Sequence, residues 1–280
     1  MPRLLLLLLL LLLVAALVRY RTSRGGHEEH AWLPKGWPDA LHQIALFALA
    51  DLCYETVRGV AESNTALAFS NARSIVDFER GMGLFFEQGL QSWVMGHRLL
   101  VDFANFMYVN SHFVITTACL VWLYLRRNEH FYFVRNMFMV AMGLALVGYL
   151  LVPTAPPRFL PELGFVDTIS YYADVHHDSA FVTLFFNPYA AVPSMHVAFS
   201  LLLAVPAILL VRSRIAKVAW ALYPPLVTCV VIVTGNHWWL DAAAGALVAI
   251  LSAVIARLVL SRARPGVWAW RPRTASAVTP

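Results

Sequence analysis

Charge is scarce in this chain. Asp, Glu, Lys and Arg make up 13% of its 280 residues, and 60% are hydrophobic. A soluble domain carries about 25% charged and about 45–50% apolar residues. A soluble core of this size has no room for the excess, so lipid must solvate much of the surface. Cysteine is scarce too. Cys53, Cys119 and Cys229 are odd in number, sit in apolar stretches and lack metal-type spacing, so each reads as a buried, inert thiol. Internal repeats are absent, and low complexity is confined to one leucine run. The formal charge of +5 does not point to nucleic acid, because basic residues at span ends set membrane topology.

What the chain has is apolar runs. Arg3 is followed by ten leucines, Leu4 to Leu13, and the run stays apolar to Val18. No small-x-small cleavage site follows, and Arg19, Arg21 and Arg24 come next. Residues 1–24 are therefore expected to be an uncleaved N-terminal hydrophobic anchor rather than a signal peptide. A weaker span from about Leu41 to Val57 is interrupted by Asp51, Glu55 and Arg58. Five further spans are predicted at about Leu100–Leu125, Phe131–Val152, Val197–Val211, Val218–Val233 and Leu240–Leu260, the third of them short. A crossing needs roughly 20 apolar residues. The expected fold is an all-α integral membrane protein: six core transmembrane helices, within residues 41–261, plus the anchor helix.

Residues 59–98 do not read as a span. Ala66, Phe69, Ile75, Val76 and Phe78 share one helical face, with Arg73, Asp77 and Arg80 elsewhere, which predicts interfacial amphipathic helices. Three basic clusters then orient the bundle: Arg126, Arg127 and Arg135; Arg212, Arg214 and Lys217; Arg257, Arg262 and Arg264. Alternating crossings put all three in the cytoplasm. The connection 153–193 then lies outside. It is long, and rich in aromatics such as Phe159, Phe165, Tyr171, Tyr172 and Tyr189, so it is expected to be a folded cap. Residues 262–280 read as a flexible cytoplasmic tail.

Three short segments should meet at the outer ends of the last four spans. The first is Pro153-Thr-Ala-Pro-Pro-Arg158, the second Asn187-Pro-Tyr-Ala-Ala-Val-Pro-Ser-Met-His196, and the third Thr234-Gly-Asn-His-Trp-Trp-Leu-Asp241. Ser194 is a good N-cap, and the first helical turn behind it, which includes His196, is a ready anion site. The bland alternative is that Ser194 only caps and His196 only bonds a neighbour. His237 and Asp241 are four apart, so on a helix they share a face. A carboxylate on one imidazole nitrogen fixes the tautomer and raises the basicity of the other. An ordinary buried His–Asp pair has the same sequence. Arg158 can grip phosphate oxygens bidentately, or anchor a helix end among headgroups. Together these groups supply a nucleophile, an acid and a cation for phosphoryl transfer. A metal held by His196, His237 and Asp241 is the weaker alternative, because Arg158 would repel it. His176-His177-Asp178 reads as loop.

These segments resemble the three signatures of the type-2 phosphatidic acid phosphatase superfamily, over roughly Leu41 to Leu260. The resemblance implies that His237 attacks phosphorus and forms a phosphohistidine, that Asp241 orients it, that His196 protonates the leaving group and that Ser194 helps hold phosphate. It implies no metal or organic cofactor. The sequence also departs from the pattern. No lysine stands near Arg158, where the pattern has one well before an Arg-Pro pair, and Val231 occupies the place of an arginine six residues before His237. Those departures are more similar to the inositol phosphorylceramide synthase branch, which transfers a phospho-headgroup between lipids. Asn105, Tyr108 and His112 share a face of one span and are expected either to line a substrate pocket with Arg158, Ser194, Asn187 and Asn236, or to form interhelical hydrogen bonds.

The reading is thus a membrane-embedded lipid phosphatase or phosphotransferase acting on a lipid phosphate or phospholipid. The alternative is a non-catalytic lipid-binding or transport protein on the same scaffold. It is expected in the plasma membrane with its active site facing the extracytoplasmic side.

Overall fold

The computed structural model describes residues 33–61, 64–173 and 191–271, without the side chains of 54–61, 111–112 and 171–173. The expected anchor, much of the cap, Asn187, His176-His177-Asp178 and the last nine residues lie outside that description, as does the His112 side chain. Among the described residues every regular element is helical.

The long helices are α1 (Gly36–Ala61), α4 (Arg98–Arg126), α5 (Asn128–Leu151), α7 (Met195–Leu210), α8 (Arg214–Val233) and α9 (Trp239–Ile255). Helix α9 runs on through a π turn, Ala256–Leu260, into Ser261–Ala263. Shorter helices are α2 (Thr65–Gly81), α3 (Glu87–Met95), α6 (Thr168–Ala173) and α10 (Pro265–Trp268), with two 3₁₀ turns at Pro157–Phe159 and Pro161–Leu163. Length and apolarity qualify α5, α8 and α9 as membrane spans, and α4 as well if its halves, which meet at 47°, count as one crossing. Helix α7 is apolar but has 16 residues. At 1.5 Å per residue that is about 24 Å, short of the roughly 30 Å hydrocarbon core. Helix α1, carrying Asp39 and Asp51, stays outside the count.

Helix α5 packs against α1, α7 and α9, and α7 against α8 and α9. Small residues set the close crossings. Ala141 and Ala145 of α5 are wholly buried, and Gly148 lies against Pro193, whose Cδ a Cβ there would meet at 2.7 Å. In α9, a methyl on Gly245 would overlap the Ser194 carbonyl. These contacts seat the entry to α7 between α5 and α9.

Three sequence expectations change. Helix α2 is not simply laid on a surface. Its buried face is Ala68, Ala72, Ile75, Val76 and Glu79, while Phe78 is 51% exposed. That face joins Ala155, Leu160, Phe165 and Trp238 in one cluster, so α2 packs on the first and third segments. The tail does not leave the protein at residue 262: Trp268 and Trp270 pack back on the core, and His130 Nε2 meets the Arg271 carbonyl at 2.8 Å. Of the cysteines only Cys119 is buried; Cys53 and Cys229 face outward. An apolar stretch marks the interior in water, but in a bilayer the outer face is apolar too.

Candidate active site

The three segments meet at one end of the bundle, and backbone hydrogen bonds fasten them. Arg158 N donates to Gly235 O at 2.8 Å, joining first to third; Ser194 N donates to Asp241 O at 3.0 Å, joining second to third. The third segment folds on itself at the end of α8. The amides of Asn236 and His237 both donate to Val231 O, at 3.1 Å each, and Gly235 turns the chain with φ of +69°, a conformation glycine adopts without strain.

His237 does not lie on the helix as its spacing from Asp241 suggested. Trp238 is the N-cap of α9 and Asp241 is its third residue. Asp241 Oδ2 accepts from Trp238 N at 2.9 Å, the carboxylate half of a capping box. The same oxygen stands 3.4 Å from His237 Nδ1, and the Ala191 carbonyl is nearer, at 2.9 Å. Both neighbours of Nδ1 are acceptors, so Nδ1 carries the hydrogen and Nε2 keeps its lone pair. His237 and Asp241 are both buried.

His196 is the second residue of α7. Its ring stacks on Tyr108 of α4, with centroids 4.6 Å apart and planes at 22°. The His237 ring meets it edge-on, at 5.8 Å and 63°. Ser194 is the N-cap of α7 by position, yet its hydroxyl makes no capping bond. That hydroxyl is buried without a partner among the described residues.

Arg158 is buried on the first 3₁₀ turn. Its Nη1 donates to Asn236 Oδ1, its Nε stands 3.7 Å from Asp167 Oδ2, and its guanidinium lies over the Phe159 ring at 4.9 Å. Asn236 is held in turn by Thr234, whose hydroxyl accepts from Asn236 Nδ2 at 2.9 Å. Asn105 is fully engaged. Its Oδ1 accepts from the Thr168 hydroxyl at 2.7 Å, and its Nδ2 donates to Thr168 O at 3.0 Å. It therefore ties α4 to α6, the interhelical alternative. The structure thus brings His196, His237, Asp241, Ser194, Arg158, Asn236 and Tyr108 to one end of the bundle.

The geometry supplies a buried imidazole with a fixed tautomer, a second imidazole beside it, a helix start and a guanidinium. A model of the PAP2 superfamily matches residues 73–255. The chain belongs to the PAP2 superfamily. Those are the type-2 phosphatidic acid phosphatases of the resemblance above, and the PAP2 match takes in all three segments and every helix from within α2 to the end of α9. No curated protein and no solved structure matches the chain. Membership of the PAP2 superfamily implies phosphatase-type chemistry on lipid-like phosphates. Val231, where the resemblance implied an arginine, is wholly buried. It packs in an aliphatic cluster with Val101, Val197 and Val227.

Several residues that build the site were not foreseen. Gln91 of α3 accepts from Val166 N at 3.0 Å and donates to Val166 O and Val233 O, at 2.9 and 3.1 Å. Glu87, one turn earlier, accepts from Trp239 N at 3.1 Å. Asn71 of α2 donates to Pro153 O at 2.8 Å, and Ala155 N donates to Ala68 O at 3.1 Å. The pair α2–α3 is therefore a bracket around the first and third segments. The one available signal was the spacing of Glu87 and Gln91, four apart on one face of a short helix.

Proposed function

We propose that this protein is a membrane-embedded lipid phosphatase or phosphotransferase that works through a phosphohistidine on His237. The observation that carries the reading is the His237 ring itself: Nδ1 points at the Ala191 carbonyl and Asp241, which leaves Nε2 as the nucleophile beside His196.

In the first step Nε2 attacks phosphorus, a P–N bond forms, and the P–O bond to the leaving group breaks. The leaving oxygen takes a proton from the His196 imidazolium. In the second step an acceptor hydroxyl, of water or an alcohol, gives its proton to neutral His196 and attacks phosphorus. The P–N bond then breaks and His237 is restored. Arg158 and the Ser194 hydroxyl hold the phosphate oxygens, and the amides opening α7 face the same charge. Asp241 holds the tautomer and stabilises the ring as it becomes cationic. The absence of a lysine near Arg158, and Val231 in place of an arginine, favour the inositol phosphorylceramide synthase-like branch. On that reading the group moved is a phospho-headgroup and the acceptor is a lipid alcohol.

The test is ³²P trapping. Purified protein turning over phosphatidic acid or phosphatidylinositol in detergent, quenched in alkali, should carry acid-labile label that His237→Ala lacks. Unchanged turnover in His237→Ala would sink the proposal. The non-catalytic alternative, a lipid-binding protein, draws on the same missing cations; it would show lipid binding with no label and no turnover.

A further inference from the structure

Two carboxylates in the α2–α3 bracket take no part in that mechanism. Glu79 of α2 and Glu87 of α3 are both 0% exposed. Among the described residues no cation pairs with either; the nearby Arg80 guanidinium lies over the Phe85 ring instead, 4.9 Å away. Glu87 is well satisfied. Its Oε1 accepts from Trp239 N at 3.1 Å and its Oε2 from Phe86 N at 2.9 Å. Glu79 is not. Neither of its oxygens accepts a hydrogen bond of good geometry, and what faces them is the Glu87 carboxyl and the Leu240 amide. Three successive amides open α9, and three carboxyls meet them: Asp241 at Trp238, Glu87 at Trp239 and Glu79 at Leu240.

A helix start welcomes negative charge, but two buried carboxylates in contact without a cation repel each other strongly. The conflict is resolved if Glu79 keeps its proton and donates it to Glu87. We infer that Glu79 and Glu87 are positioning residues: the protonated Glu79 bridges to Glu87, the pair holds the first turn of α9, and that turn sets where His237 stands. This rests on the reading of His237 as the nucleophile.

Burial, Glu87 and Asp241 together push the Glu79 carboxyl from 4.5 up to about 9, against a smaller opposing pull from the Leu240 amide. Among the described residues, the titratable groups facing Glu79 are Glu87 from α3 and Asp241 from α9. The folded value is raised, so the stability the proton confers is complete below 4.5 and declines as pH rises towards 9. Above that the folded protein loses the proton and the bridge becomes a repulsion.

The experiment compares wild type, Glu79→Gln and Glu79→Ala as full-length protein in detergent. One readout needs no substrate: ¹⁵N-histidine NMR, with the His237 signal identified by its loss in His237→Ala. In wild type the His237 signal should move as pH is raised through about 9. Glu79→Gln, whose amide also donates to Glu87 but does not ionise, should match wild type at neutral pH and lack that movement. Glu79→Ala should shift His237 at neutral pH. The second readout is turnover of dioctanoyl phosphatidic acid. Between pH 8 and pH 10 wild-type kcat should fall about tenfold, following the protonated fraction of one carboxyl, with KM unchanged. Glu79→Gln should stay flat. Identical alkaline behaviour of wild type and Glu79→Gln in the NMR titration overturns the inference, even if Glu79→Ala fails to fold. Full turnover in His237→Ala with the expected NMR result would instead remove the catalytic reading and leave the bracket standing.

Discussion

The two ends of the bundle both bury polar side chains, and they do so in opposite ways. At the end away from the three segments, Asp39 of α1 is saturated. Its Oδ2 accepts from Tyr124 and Tyr132 hydroxyls at 2.9 and 2.6 Å, and its Oδ1 from Gln43 at 3.1 Å. Gln43 passes the chain on to Arg135 Nη1 at 2.8 Å, and Arg135 donates its other groups to Asn136. At the segment end, Ser194 Oγ, Arg158 Nε, Asp241 Oδ1, Trp239 Nε1 and both Glu79 oxygens are buried without a hydrogen-bond partner among the described residues; at the other end the same is true of His130 Nδ1 and Asn136 Nδ2 alone. Buried polar groups are nearly always satisfied, and the exceptions gather where chemistry is done. One end is built to hold the helices together. The other leaves groups uncommitted: the Ser194 hydroxyl and Arg158 Nε beside His196 and His237, and the Glu79 oxygens of the inferred bridge to Glu87.

Substitutions can break this contrast, starting with the largest. His237→Ala should lower turnover by about 10⁴-fold or more, as loss of a nucleophile does, while the unfolding midpoint in detergent stays close to wild type. His196→Ala should cost about 10²–10⁴-fold in kcat, and a leaving group that needs no proton, such as p-nitrophenolate, should recover most of it. Asp39→Ala is the mirror experiment. It strands two tyrosine hydroxyls and a glutamine, so unfolding should become easier by about 3 kcal/mol, with kcat at low temperature within about twofold of wild type. A larger kinetic effect would mean that the two ends are coupled. Gly245→Ala presses on the Ser194 carbonyl and should cost on the order of tenfold in kcat/KM through misplacement of the second segment. Tyr108→Leu removes the stack on His196 and should cost about threefold, the scale of an aromatic pair.

The segment end was far more legible in sequence than the bracket that holds it. Ser194, His196, His237 and Asp241 announce themselves because chemistry-bearing residues crowd into a few positions at span ends. Arg158 stands out beside two prolines. Glu79 and Gln91 carry no such signal. Their partners are remote in the chain, Gln91 reaching Val233 across 142 residues. A glutamate among apolar residues in a short helix reads as its polar face, and for Glu79 that is the wrong face. The His237 conformation was hidden for a related reason. Spacing of four suggests a shared helical face, but Asp241 spends its Oδ2 on the Trp238 amide, so the N-cap falls one residue after His237, the helix starts two after it, and the ring lies outside the helix.

Val231 marks a limit on what this scaffold can be turned into. Its backbone carbonyl carries the amides of Asn236 and His237, and its side chain fills a wholly enclosed aliphatic site. Val231→Arg would put a guanidinium into that enclosed cluster. The longer side chain has no space within the cluster that Val231 shares with Val101, Val197 and Val227, and overpacking there would strain the turn whose carbonyl shapes His237. An engineer seeking to seat an arginine there would have to hollow that cluster first.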